Sequence, residues 1–172
     1  MTDIVDPATR SRMMSGIRGR DTEPELRIRK ALHAHGFRYR IHHTRLPGKP
    51  DIVLPRFRAV VLVHGCFWHG HDCPLFRLPG TRTEFWREKI TRNRARDRDV
   101  AIALGDANWR RATVWECSLR GPQRLDFDTV IDELADWLRN GRGNLELRGI
   151  HAGPSGSVAT PPNSRALGSV PS

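Results

Sequence analysis

The sequence predicts an α/β domain in which one central mixed β-sheet is flanked by helices. Three observations predict it. "AVVLV", residues 59–63, is a continuous aliphatic run of strand length, as expected for a strand covered on both faces. Other strand-like segments stand before and after it. Three further segments repeat apolar residues at helical spacing. The 172 residues fit one domain.

The elements follow in order. Residues 1–21, centred on "TRSRMMSGIRGR", are polar and basic and read as a flexible arm. "DTEPELRIRKALHAHG" is a helix: Thr22 and Glu25 have capping-box spacing, Pro24 suits the first turn and Gly36 stops it. "FRYRIHH" alternates Phe37, Tyr39 and Ile41, which predicts a strand. "RLPGKP" is a turn, "DIVL" a short strand, "PRF" another turn, and "AVVLV" the buried strand. A loop rich in His and Cys runs to about Arg82. "TEFWREKITRNRARDRDVAIALG" is a long helix with Trp86, Ile90, Asn93, Asp97, Val100 and Leu104 on one face. "RATVWEC" is a strand. "DFDTVIDELADWL" is an amphipathic helix with Phe127, Val130, Ile131, Leu134 and Trp137 or Leu138 inward. From Gly141 the composition turns to Gly, Pro and Ser, so 141–172 is expected to be a disordered tail and 22–140 the folded domain. The three consecutive strands are expected to form a meander, with a crossover helix bringing in the fourth.

Lys and Arg number 29 against 19 Asp and Glu, a net charge of +10. Beyond residue 150 only Arg165 is charged, so +9 belongs to the first 150 residues. Such a domain attracts polyanions, nucleic acid first. No apolar run has membrane-spanning length, and "MTDIVDPATR" is unlike a signal peptide, so a cytoplasmic protein without a membrane partner is expected. Three cysteines fit a disulfide framework poorly and suggest metal ligands or core thiols.

Cys66, His71 and Cys73 fall within eight residues, close enough to converge on one ion. Cys117 ends a later strand, which can lie beside the strand leading to Cys66. Cys₃His is a closed tetrahedral zinc set, and with all four positions filled the ion would be structural. It would pin the loop that carries Phe67, Trp68 and His69. The plainer alternative is two buried thiols and unrelated histidines.

Asp51 opens the strand before the buried one and His64 ends the buried one, so antiparallel pairing brings them together. A carboxylate there can bind Mg²⁺, and a neutral histidine can take a proton from water. Asp97 on the long helix can hold an imidazole in one tautomer. Glu25, one turn into the first helix, can add a water-mediated metal contact. Each also has a bland reading: Asp51 as a turn residue after Pro50, Asp97 as a solvated ion-pair partner.

"TRSRMM", "LPGKPDIVL", "HGCFWHGHDCPLF", "TRTEFWREKI", "RDRD" and "VWECSLRG", in this order, closely resemble the very-short-patch-repair (Vsr) mismatch endonucleases over roughly residues 7–140. The resemblance implies a type II restriction-endonuclease-like fold. It also implies nicking of one strand of double-stranded DNA, 5′ of the thymine of a T·G mismatch left by 5-methylcytosine deamination. By the same resemblance Asp51 binds two catalytic Mg²⁺ ions, Val63 adds its backbone carbonyl, and His69 activates water. His64 and Asp97 support His69, Glu25 stands in the outer shell, and Cys66, His71, Cys73 and Cys117 hold one structural Zn²⁺. Phe67, Trp68 and Trp86 would wedge into the mismatch from the major groove and Met14 from the minor-groove side, with Lys89 and Asn93 as candidate base-edge contacts. A monomer is expected, with downstream repair proteins as further partners.

The chain departs from the pattern in three places. Members often carry Thr where Val63 stands, and a backbone contact makes that change minor. Gly70 replaces a position where relatives can have His, which is expected to loosen the loop beside His69. The lysine of the wider superfamily motif is missing from "VLVHGC". Two rival readings are a restriction-type nuclease of the same fold and a non-catalytic zinc-stabilised DNA-binding module.

Overall fold

The computed structural model describes residues 19–150. Met14, with the arm before Gly19, and the segment after Ile150 lie outside the described residues. The elements are α1 (Glu23–Ala34), β1 (Ile52–Leu54), a 3₁₀ turn (Pro55–Phe57), β2 (Ala59–His64), α2 (Thr83–Asp106), β3 (Arg110–Trp115), the short α3 (Glu116–Leu119), α4 (Phe127–Asn140) and β4 (Leu145–Leu147). The sheet order is β1-β2-β3-β4. β1 is antiparallel to β2, while β2–β3 and β3–β4 are parallel. The sheet is therefore mixed, as the sequence predicts, and α2 is the crossover between β2 and β3.

Side-chain alternation sorts the core into two layers. Ile52, Leu54, Ala59, Val61, Ala112 and Val114 face α1 and α4, where Ile28, Leu32, Val130, Ile131, Leu134, Trp137 and Leu138 complete the larger layer. Both Trp137 and Leu138 are buried, so the α4 stripe is wider than either residue alone would make it. Val53 and Val60 face the other way, against Leu104 and Val100 of α2. Only the C-terminal part of α2 reaches this core; its earlier turns lie over the 65–82 loop.

Two expectations need correction. "FRYRIHH" forms no strand: Arg40 makes a single antiparallel bridge to Val53. Phe37 is buried, but Ile41 is 41 % exposed and His42 turns to φ +53°, so the alternation stops before pairing can extend. The meander shrinks to β1–β2. The chain is also ordered past Gly141. Leu145–Leu147 pairs with Ala112–Val114, Leu147 is buried, and Ile150 N donates to Gln123 O. Three residues give too short a window for periodicity to register; β4 exists because β3 offers an edge.

The start of α1 departs from a simple capping box. Thr22 Oγ1 donates to Glu25 Oε1 (2.9 Å), and Glu25 Oε2 accepts from Asp21 N (2.8 Å). The glutamate thus draws in the chain one residue earlier than expected. Arg29, one turn on, bonds Glu25 Oε2 at 3.0 Å and Asp21 Oδ1 at 2.5 Å. Glu25 and Arg29 are both buried, and pairing is what makes that tolerable. No described helix is long and apolar enough to cross a membrane.

Candidate active site

The strand alternation that builds the α2-facing layer also builds the site. Asp51 is two residues before Val53, and His64 is four after Val60, so both lie on the α2 face. The β1–β2 register, Ile52 opposite Val61, sets Asp51 beside the end of β2. Val63 N donates to Asp51 Oδ2 at 2.7 Å, which puts the backbone of Val63 next to the carboxylate. Arg29 Nη2 donates to Asp51 O at 3.2 Å, tying α1 and its Glu25 to the same point. Burial pushes the Asp51 carboxyl up to about 6; the charge of Glu25 adds to the rise, and the Val63 amide opposes it. A buried carboxylate held this way is suited to a cation.

His69 and Asp97 meet across the cleft, with Nδ1 2.6 Å from Oδ2. Against the cost of its own burial, the His69 hydrogen bond holds the Asp97 carboxyl below the usual range. An ionised acceptor keeps the proton on Nδ1 and leaves the lone pair on Nε2. His64 stacks flat on His69, ring centroids 3.8 Å apart at 2°. Burial, and then the charge of His69, lower the His64 pKa to about 3, so it is neutral at ordinary pH.

On the role that the resemblance gives Asp97, Asp97→Asn is expected to lower the cleavage rate roughly 10²–10⁴-fold, the usual worth of a positioned acid–base pair. Because the folded-state pKa of Asp97 is depressed, its stabilising contribution is present above the unfolded value of about 3.9 and is lost as pH falls through the folded value. Melting curves from pH 7 to pH 3 check this: the parent's advantage over the variant disappears toward acid.

Cys66, His71, Cys73 and Cys117 each offer a donor atom, all within 4.8 Å of one another. His71 Nδ1 is 3.5 Å from both Cys66 Sγ and Cys117 Sγ. Zinc bonds of about 2.3 Å to sulfur and about 2.0–2.1 Å to nitrogen, at a tetrahedral angle, put S and N about 3.6 Å apart. The donor set and its spacing therefore fit zinc. Burial raises the Cys66 and Cys117 thiols, so a cation is needed to make thiolates of them. Cys117 lies in α3 rather than ending β3, with the same result: His64 pairs with Trp115, and each cysteine stands two residues beyond that pair.

The aromatic residues form one cluster. Phe67 is 5.1 Å from Trp68 and 5.4 Å from Trp86, and Trp68 is 6.1 Å from Trp86. Trp86 belongs to this cluster and to neither apolar core layer. Lys89 Nζ lies 5.3 Å from the Trp68 ring and 5.5 Å from Trp86. Asn93 Nδ2 donates to Trp68 O at 2.8 Å, so its amide holds the loop. Gly70 is the residue that brings this loop close to α2. It sits at φ +59°, where a Cβ would lie 2.6 Å from Ile90 Cγ2, so the turn beside His69 packs directly on α2.

Three residues of the site were not singled out from sequence. Arg29 is the bridge from α1 to Asp51; its i,i+4 spacing from Glu25 was the available signal. Glu116 Oε2 accepts from Cys66 N at 3.0 Å and holds the start of the loop. Trp115 stacks on His71 (3.9 Å, 11°) and sets its edge on His64 (5.2 Å), forming a wall between the thiol cluster and the histidine pair.

Comparison with known proteins places the chain among its relatives. Residues 2–75 match the family model described as DNA mismatch endonuclease Vsr. The chain is 42 % identical over 153 residues to the DNA mismatch endonuclease Vsr of Escherichia coli, covering 88 % of this chain and 98 % of that one. It is 48 % identical over 119 residues to the type II nicking enzyme V.XorIIP of Xanthomonas oryzae, covering 69 % and 88 %. It is 45 % identical over 138 residues to the type II nicking enzyme V.NmeAIP of Neisseria meningitidis, covering 79 % and 99 %. The chain belongs to the Vsr DNA mismatch endonuclease family.

Proposed function

We propose that this endonuclease nicks one strand of duplex DNA 5′ of the thymine of a T·G mismatch, acting as a monomer on a type II restriction-endonuclease-like scaffold. The observation that carries the reading is that Asp51, the His69–Asp97 pair and the Phe67–Trp68 blade all line one open cleft.

Asp51, with the neighbouring Val63 carbonyl, would hold a pair of Mg²⁺ ions, which supply charge neutralisation at the scissile phosphate and at the leaving 3′ oxygen. His69 Nε2 takes a proton from the attacking water, the water oxygen bonds to phosphorus, and the bond to the 3′ oxygen breaks. Asp97 stabilises the imidazolium so formed, and neutral His64 keeps the ring in plane by stacking. Glu25, with its oxygens engaged by Thr22, Asp21 and Arg29, orients Asp51 through Arg29. The thiol cluster has a structural part: its four donors would hold zinc, which would tie the loop to α3 and fix the segment between Cys66 and His71.

Recognition rests on stacking. Opening a base step costs a few kcal/mol, and stacking a base on an aromatic ring returns about 1–3 kcal/mol. A wobble pair opens at lower cost than a Watson–Crick pair, so the same blade discriminates between them. Met14, Lys89 and Asn93 are proposed to add contacts at the mismatch.

The test is cleavage of end-labelled duplexes with Mg²⁺, T·G against C·G, over a panel of flanking sequences. The parent is expected to nick T·G duplexes on one strand. Trp68→Ala is expected to reduce the T·G rate about 10–100-fold, as the lost stacking energy implies. Absence of cutting on every T·G duplex removes the mismatch reading; equal cutting of C·G favours a restriction-type nuclease.

A further inference from the structure

The cleft has a second wall, on β3, that the chemistry above does not use. Arg111 pairs with Val60, and alternation puts it on the α2-facing side with Thr113 and Trp115, opposite to Ala112 and Val114. It lines the cleft and is half-buried. Of the other cations that line the cleft, Arg29 bonds Glu25, Arg120 bonds Glu116 and Lys89 lies over aromatic rings, while Arg20, Lys49, Arg94, Arg96 and Arg98 are exposed to water. The Arg111 guanidinium meets no carboxylate, carbonyl or ring among the described residues; only its backbone N–H is bonded, to Asn144 Oδ1. Partial burial of an unpaired cation is unfavourable, so a site that keeps one is set up for an anion that arrives with the ligand.

The register says which anion. Arg111 is level with Val60, and His64 is four residues further along β2. At roughly 3.3 Å per residue the two levels are about 13 Å apart. That offset sets Arg111 to one side of the His69 level, alongside the next part of the same strand. Its charge is still felt at His64, where it helps keep the imidazole neutral.

We propose that Arg111 binds a backbone phosphate flanking the scissile one, and so holds the nicked strand along β3. The identity of the anion rests on the nuclease reading; the existence of an anion site does not. Arg111 thus contributes to DNA affinity and to the placement of the strand, and does not act on the reacting phosphate.

The experiment compares the full-length parent, Arg111→Gln and Arg111→Lys. Fluorescence anisotropy in Mg²⁺-free buffer measures affinity for a duplex across a salt series, and single-turnover cleavage with Mg²⁺ is run at saturating T·G duplex. Arg111→Gln is expected to weaken binding about tenfold and to lower the slope of log K against log salt by about 0.9, the value of one phosphate contact. The saturated cleavage rate should change less than about threefold, and Arg111→Lys should keep the parental slope. Unchanged affinity and slope in Arg111→Gln overturn the proposal. So does a hundredfold fall in the saturated rate with affinity intact, which would place Arg111 on the scissile phosphate. If Arg111→Gln melts lower than the parent, Arg111→Lys decides: failure to restore the slope overturns the proposal. A parent that binds duplex with the expected slopes but cuts no T·G substrate removes the mismatch reading and leaves the phosphate site standing.

Discussion

Asp51→Asn is expected to abolish nicking and, in metal-free buffer at pH 8, to make the protein more stable. The two effects have one cause. Asp51 is a buried carboxylate beside Glu25, and its pKa rises from 3.8 to about 6. A raised acid pKa means that the folded state binds more protons than the unfolded one between these values. Stability therefore falls as pH rises through that window and stays lower above it. Two units correspond to about 3 kcal/mol, or very roughly 5–10 °C in melting temperature for a domain of this size. Asparagine removes the cost while its Oδ1 can still accept the Val63 amide.

Mg²⁺ should stabilise the parent, by linkage, and leave the variant unchanged. The cleavage rate should fall at least about 10³-fold, since charge neutralisation at phosphate is worth several kcal/mol. Binding to a mismatched duplex should survive. Calorimetry at pH 4 and pH 8, with and without Mg²⁺, and a cleavage assay check these outcomes together. A variant that still nicks, or that is no more stable than the parent at pH 8, removes Asp51 from the metal site. Cleavage that never depended on Asp51 would favour a zinc-stabilised DNA-binding module with a contaminating nuclease.

Cys117→Ser is expected to disable the protein through the loop that carries His69. Cys117 ties the loop to α3, and His71 lies 3.5 Å from its sulfur. The loop between Cys66 and His71 carries Phe67, Trp68 and His69, and it has few other anchors: Glu116 on Cys66 N, Asn93 on Trp68 O and Asp97 on His69. Loss of one thiol would leave the proposed tetrahedral zinc set incomplete. Structural zinc is worth about 10–16 kcal/mol where it organises a whole small fold. Here the sheet and α4 hold their own core, so part of that is at stake, and a melting-temperature fall of ~10 °C or more is expected. Zinc content per chain, by a colorimetric release assay, should drop from near one, and cleavage should fall with it. Retention of a full zinc equivalent by Cys117→Ser, with an unchanged melting curve, would rule out this ligand set.

Much of the site is legible in the sequence because its donors are local. Cys66, His71 and Cys73 are close neighbours in the chain, and their chemistry points to a metal whatever the fold. The helices are legible for a similar reason: the stripe from Trp86 to Leu104 records one face of α2. Asp51 and His64 could be brought together on paper because β1 and β2 are adjacent and antiparallel. Short elements were less visible. Leu145–Leu147 carries no period long enough to detect, and Phe37–Ile41 carries one that packing honours only at its start.

What the sequence alone determined is therefore the kind and order of elements, the soft donor set, and the family likeness. Backbone sterics and side-chain periodicity act over a few residues, and a few residues suffice to reveal them. What only the tertiary structure decided is which groups share a face. The β1–β2 and β2–β3 registers put Asp51, His64, Trp115 and Arg111 on the α2 side, and a slip of one residue would have turned any of them to the other face. The crossing of α2 over that face delivers Asp97 to His69 and Asn93 to Trp68. These contacts join residues 25 and more apart in the chain, and their energies exist only once the sheet has fixed the distances.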